Sequence, residues 1–140
     1  MTLEFDRAII GREFDRTVFD PVSEADIREY MAVTGERDAR GGDTGELLAA
    51  PTFVVRLRGR HFMPPGLPPE IGRAGLDAGK DIEFGAPIRP GDVLTAISTI
   101  HDLYEKTGRT GTMTFLVLRT VVTNQRAEQV AVIDQRMMCR

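Results

Sequence analysis

The chain has one cysteine, Cys139, no tryptophan, and two lysines, Lys80 and Lys106. A single cysteine excludes an internal disulfide. Its place near the end of the chain, with no histidine close in sequence, suits a small apolar residue of a last strand better than a nucleophile. The two histidines, His61 and His101, lie far apart, and there is no Cys/His cluster, so neither a metal site nor a cofactor is expected. No apolar run reaches the length of a membrane span. Residues Met1 to Asp6 carry no basic n-region and no apolar h-region, so no signal peptide is expected and a cytoplasmic setting is the default. The net charge of -3 argues against a general nucleic-acid binder, which would show a basic domain. The 140 residues, 41% hydrophobic and 28% charged, suit one globular domain over 1–140 with a core that needs no staples.

Two textures divide the chain. The first half mixes charge, glycine and proline. Glu13 to Asp20 alternates loosely around Phe14, Val18 and Phe19, which predicts a short strand that Pro21 stops. Ser23-x-x-Asp26 resembles a capping box with Asp in place of Glu and starts a helix. Ile27, Tyr30, Met31 and Thr34 recur at helical spacing, and Gly35 suits the stop. Glu36 to Gly45 is a polar, glycine-rich loop. Pro51 suits a first helical turn, and Phe53, Leu57 and Arg60 share one side, so a central helix is predicted over 51–62. Met63 to Pro69, with four prolines, is a stiff connector.

The second half reads as consecutive strands over 76–84, 93–104, 112–123 and 128–138. The Arg89-Pro90-Gly91-Asp92 turn, the turn over 106–111 and the loop over 124–127 separate the last three into an antiparallel meander. Strand, helix, helix and a run of long strands form an α+β layer architecture. That order is the one found in a hotdog fold, a long curved antiparallel sheet wrapped around a central helix.

Particular residues carry a family signal. They are Ile10-Gly11-Arg12, Tyr30-Met31-Ala32-Val33-Thr34-Gly35, Ala50-Pro51-Thr52-Phe53, Asp81-Ile82-Glu83-Phe84 and Pro87-Ile88-Arg89-Pro90-Gly91-Asp92. Tyr104-Glu105-Lys106-x-Gly108-Arg109-x-Gly111-x-Met113-Thr114-Phe115 and Thr123-Asn124-Gln125 follow in order. In this order and spacing the chain resembles the N-terminal MaoC-like dehydratase domain, a hotdog family of 3-hydroxyacyl-thioester dehydratases and enoyl-CoA hydratases. The resemblance covers nearly the whole chain. It implies an acyl-CoA or acyl-carrier thioester as substrate. It also implies backbone N–H groups at the start of the central helix that polarise the thioester carbonyl.

Catalytic domains of that family carry a loop of the type Gly-Asp-x-Asn-Pro-x-His, whose Asp and His activate one water. This chain aligns Glu36 with the Asp, Asp38 with the Asn, Ala39 with the Pro and Gly41 with the His. Glycine transfers no proton, so the expectation is a subunit without its own dyad. Within the family, such subunits pair with a catalytic hotdog that supplies Asp and His. A heterodimer, or a dimer of heterodimers, is the expected assembly, and the chain stops where a fused second hotdog would begin.

Each candidate has a plainer reading beside it. Glu36 and Asp38 are either a surviving acid/base pair, which would make a homodimeric hydratase or thioesterase, or solvated loop carboxylates. Pro51, Thr52, Phe53, Val54 and Leu57 are candidates for an acyl pocket, where pocket and core overlap. Arg56 and Arg60, at i and i+4 of the predicted helix, are candidates for thioester-carrier phosphates or a charged helix edge. His61 reads as a helix-end or interface residue, and His101 as a surface residue. A binding module for acyl thioesters without chemistry is the remaining alternative.

Overall fold

The computed structural model describes residues 5–36, 40–41, 45–67, 71 and 75–139, with residues 40 and 41 described by backbone alone. Strand β1 (Glu13–Val18) leads into helix α1 (Glu24–Thr34). Both halves of the capping box form. The Asp26 N–H donates to Ser23 Oγ at 3.0 Å, and the Ser23 N–H donates back to Asp26 Oδ2 at 3.1 Å. Gly35 then turns left-handed at φ 74°, where a side chain would be strained, and the Glu36 N–H closes on the Met31 carbonyl at 3.0 Å. Ile27 is fully buried and Tyr30 and Met31 half-buried, while Thr34 faces out and folds its hydroxyl back on the Tyr30 carbonyl at 2.9 Å. Two short strands, β2 (Arg40–Gly41) and β3 (Glu46–Leu47), pair beyond it.

The main sheet adds β4 (Leu76–Phe84), β5 (Thr95–Gly108), β6 (Gly111–Thr123) and β7 (Gln129–Cys139). Its order is β1-β5-β6-β7-β4, and every pairing is antiparallel. The expected meander is therefore present, with β1 and β4 as the edges. Strand β5 starts later than residue 93 because the preceding turn is tied down. The buried Asp92 carboxylate accepts from the Arg89 N–H at 2.8 Å and from Gln125 Nε2 at 2.9 Å, while the Val93 N–H donates to Gln125 Oε1. At the other end, β5 and β6 run on to Gly108 and Gly111, leaving a two-residue hairpin tip.

One face of the sheet is covered. Over one half, α1 and the segment Phe53–Val54 pack on Leu94, Ala96, Val122, Val130 and Ile133. Over the other half, Met63, Leu67 and Ile71 pack on Ile100, Leu103, Leu116, Leu118 and Cys139. The alternation in β5 changes phase between Ile100 and Asp102, where a bulge lets Ile100 and Leu103 face the same side. Cys139 is buried at the end of β7 and donates to the Ile71 carbonyl at 3.2 Å, so it is a core residue.

The predicted central helix is the main correction. Residues Pro51–Arg56 form a 3₁₀ turn, and Leu57, at φ -78° and ψ 86°, makes an inverse γ-turn with the Arg58 N–H on the Arg56 carbonyl at 3.0 Å. Residues 57–67 continue as a non-helical strap. Its donors are captured from β1. Asp15 Oδ1 accepts from the His61 N–H at 3.1 Å and sits 2.9 Å from His61 Nδ1, and the Arg60 N–H lies 3.4 Å from Thr17 Oγ1. A helix would have sent those N–H groups to carbonyls four residues back. Gly59 permits the close approach, since a Cβ there would stand 2.1 Å from Asp15 Oδ2. Val54-Val55 and Gly59 also weaken the helical alternative. Arg56 and Arg60 therefore do not share a helix face, and His61 is not a helix-end residue.

Candidate functional site

A cleft of about 290 Å³ opens where three pieces of chain meet. The first is Glu36, directly after α1. The second is the stretch Leu48 to Pro51 with Val54. The third is Phe84 to Ile88, with Val130 of β7 beneath. The walls are stitched together by backbone bonds. The Ala49 N–H donates to the Ile88 carbonyl at 2.9 Å, the Gly85 N–H to the Val130 carbonyl at 2.8 Å and the Ala86 N–H to the Gln129 carbonyl at 2.9 Å. These last two carry the β4–β7 ladder past Phe84 until Pro87, which has no N–H to extend it. Gly85 is required there, because a Cβ would stand 2.2 Å from the Gln129 carbonyl oxygen.

The floor is apolar. Ala49, Ala50, Val54, Ile88 and Val130 are buried. The rim carries Glu36, Pro51 and the half-exposed Phe84. Among the described lining residues Glu36 is the only titratable group. The arrangement suits an apolar chain with a polar head at the mouth.

The 3₁₀ turn decides which of its residues reach the cleft. With three residues per turn, Pro51 and Val54 fall on one side and line it. Thr52, Phe53 and Arg56 turn to α1. Thr52 Oγ1 accepts from the Tyr30 hydroxyl at 2.9 Å. Phe53 is 4% exposed and meets the Tyr30 ring edge-on at 5.5 Å. The Arg56 guanidinium lies 5.0 Å from the centre of the Phe53 ring and donates to the Asp26 carbonyl at 3.1 Å. Leu57 packs against the core. Asp38 lies outside the described residues. The Phe53 N–H closes on the Ala50 carbonyl at 2.8 Å, and Pro51 has no N–H. That leaves the turn's start with fewer free donors than a full helix would have.

Neither histidine lines the cleft. His61 is held by Asp15 on β1, at the opposite edge of the sheet from β4. His101 is exposed on β5. The wall from Phe84 to Ile88 escaped sequence reasoning because small residues announce no chemistry. Phe84, Pro87 and Ile88 fall in the family signal, and Gly85-Ala86-Pro87 adds two small residues and a ladder-breaker directly after a strand.

A family model for the FAS1-like dehydratase domain region matches residues 8–133. The chain belongs to this family. Its fold is the MaoC-like hotdog. The MaoC-like dehydratase from Rhodospirillum rubrum superposes with a TM-score of 0.70 over 93% of this chain and 91% of that one, at 20% identity. The ChsH1-ChsH2 complex from Mycobacterium tuberculosis gives 0.72 over 91% and 83%, at 17% identity. The C-terminally truncated HadBC complex of that organism, a 3R-hydroxyacyl-ACP dehydratase, gives 0.65 over 97% and 99%, at 22% identity. At such identities the likeness is one of fold. No curated protein matches the chain. Among the described residues no group of three or more His, Cys, Asp or Glu side chains gathers as a metal site would, and no helix is long and apolar enough to cross a membrane.

Proposed function

We infer that this chain is a subunit of an enoyl-thioester hydratase or 3-hydroxyacyl-thioester dehydratase, completing the acyl pocket of a catalytic hotdog partner. Hydration joins a water oxygen to the β-carbon of the enoyl group and delivers a proton to the α-carbon. Both proton movements need a positioned acid/base group within hydrogen-bond reach. The observation that carries the reading is the cleft itself: an apolar floor with Glu36 as its one titratable lining group among the described residues, and both histidines elsewhere. Such a cleft seats an acyl chain and leaves proton transfer to another subunit's Asp and His.

Two further features support a partner. Strand β4 is an edge, and Phe84 at its end is 49% exposed on the cleft rim, so a strand added there would border the cleft. Two of the similar folds, HadBC and ChsH1-ChsH2, are themselves complexes. A mixing assay tests the reading. The purified chain alone should leave crotonyl-CoA and longer enoyl-CoAs unhydrated, and addition of a MaoC-like partner with an intact Asp/His loop should produce turnover. High activity from the chain alone would overturn it.

Glu36 on the rim favours one second reading, a self-sufficient homodimer using that carboxylate. Glu36→Gln would then abolish turnover with the fold intact. In the leading reading it leaves the activity of the mixed complex within a few fold.

A further inference from the structure

An antiparallel sheet with one face on the core ordinarily turns polar residues to the other. Strand β6 does not. Phe115-Leu116-Val117-Leu118 is apolar on both sides, and Val121-Val122 repeats the pattern. Leu116, Leu118 and Val122 belong to the covered face. Phe115, Val117 and Val121 alternate with them, so they point to the outer face, and they belong to neither core cluster. A strand apolar on both sides is the pattern of one that is covered on both.

The register sets this outer face in rows across β5, β6, β7 and β4. Ile97, Val121 and Val132 stand opposite one another in one row. The next row is Thr99, Arg119, Asp134 and Asp81, in which Arg119 Nε and Nη2 each donate to an Asp134 oxygen at 2.7 Å. Val117 and Arg136 pair in the row after that. Tyr104, Phe115, Met138 and Leu76 make the last row. Its two rings stack at 5.1 Å between centres, and Leu76 is 60% exposed. Beyond it, Lys106 Nζ lies 5.5 Å from the Tyr104 ring centre and begins a polar rim.

We propose that this outer face binds a second copy of the chain, sheet against sheet, about a two-fold axis that runs along the strands midway between β6 and β7. A half-turn about that axis lays β6 over the second copy's β7, and β5 over its β4. Val121 then meets the second copy's Val132, Phe115 its Met138 thioether and Tyr104 its Leu76, each contact made twice. Arg119 meets Asp134, so two guanidiniums and two carboxylates alternate at the centre and every charge there faces its opposite. A half-turn about an axis across the strands, along that row, would set Arg119 on Arg119. Four strands about 4.8 Å apart and four rows about 6.8 Å apart make a patch of roughly 19 by 27 Å, about 500 Å² per copy before side-chain relief. A standard interface buries roughly 800 Å² per partner, so the association is weak and concentration-dependent. The contact leaves the β4 edge and the cleft free, and it does not depend on the thioester reading.

Sedimentation equilibrium of the full chain across the micromolar range tests the proposal. The mass should double reversibly with concentration. Val121→Glu places a charge in the first row without touching the core, and it should weaken the association at least about tenfold while the far-ultraviolet circular dichroism stays unchanged. Arg119→Asp and Asp134→Arg should each do the same, because like charges then face one another across the axis. The swapped double variant, Arg119→Asp with Asp134→Arg, rebuilds both the pair within the chain and the pair across the axis, and it should restore association. Phe84→Lys, on the β4 edge, should leave it in place. A mass that does not double at any concentration overturns the proposal. So does association that survives Val121→Glu and disappears with Phe84→Lys, which would place the contact on the β4 edge. A swapped variant that stays dissociated overturns it as well.

Discussion

Replacing Asp15 by alanine tests why the central helix stops. The Asp15 side chain is 3% exposed and accepts from Thr17 Oγ1 at 2.8 Å, the His61 N–H at 3.1 Å and His61 Nδ1 at 2.9 Å. The ring contact is largely exposed on the His61 side, which is 66% accessible, so it adds little after solvent screening. The hydroxyl and backbone donors each contribute about 1.5 kcal/mol to a charged acceptor. Water reaching the freed groups returns part of this, so Asp15→Ala should cost about 2–3 kcal/mol, which a domain of this size survives. Burial pushes the Asp15 carboxyl up, but the hydrogen bonds from Thr17 and His61 outweigh it and hold the group below the ordinary carboxylate range. A depressed carboxyl contributes stability that is complete above its unfolded value, near 3.9, and is lost as pH falls through the native value. The gap between wild type and variant should therefore be full at pH 7 and shrink below about pH 4. Urea melts with unchanged slope measure it, and amide exchange should rise at Arg60 and His61. A loss under about 0.5 kcal/mol, or a gap independent of pH, would refute the idea that Asp15 holds the strap.

The cleft and the helix supply three more expectations. Gly85→Ala forces a Cβ to within 2.2 Å of the Gln129 carbonyl oxygen, so the end of β4 must shift. The cost should be about 1–3 kcal/mol in a denaturant melt, with weaker acyl binding. Val54→Phe fills the floor of the cleft, and affinity for an enoyl-CoA analogue should fall at least about tenfold by calorimetry while the far-ultraviolet circular dichroism stays unchanged. Ser23→Ala removes the Oγ that accepts from the Asp26 N–H while leaving the backbone N–H that donates to Asp26, and thermal unfolding should report a loss of about 1 kcal/mol.

Local chemistry was legible, and distant capture was not. The capping box at Ser23 and Asp26, the left-handed Gly35 and the strand over 76–84 all depend on residues close in sequence, and they stand where sequence reasoning puts them. The central helix gives way because its competitor lies 46 residues earlier: Asp15 takes the His61 N–H. No period or propensity contains that information. The phase change at Ile100 to Asp102 was hidden for a related reason, since a bulge leaves the composition of a strand untouched. For the site, Glu36, Pro51 and Val54 were named from the resemblance and do reach the cleft. Phe84, Pro87 and Ile88 stand in the family signal but not among the expected site residues, because the wall contributes shape and room rather than a reactive group.

The shortened turn and the strap also explain one another. A full helix over 51–62 would have carried its apolar side across the covered face and left Asp15 and Thr17 without strap donors. The buried Asp15 carboxylate would then keep only the Thr17 hydroxyl as a donor, and a buried charge so sparsely paired is costly. Ending the helix at Arg56 satisfies them, and it has a consequence at the other edge of the sheet. A 3₁₀ turn repeats every three residues, so Pro51 and Val54 stack on the cleft while Phe53 and Arg56 turn toward α1. The polar pair on β1 thus shapes the cleft beside β4, at the opposite edge of the sheet, through the conformation of the segment that joins them.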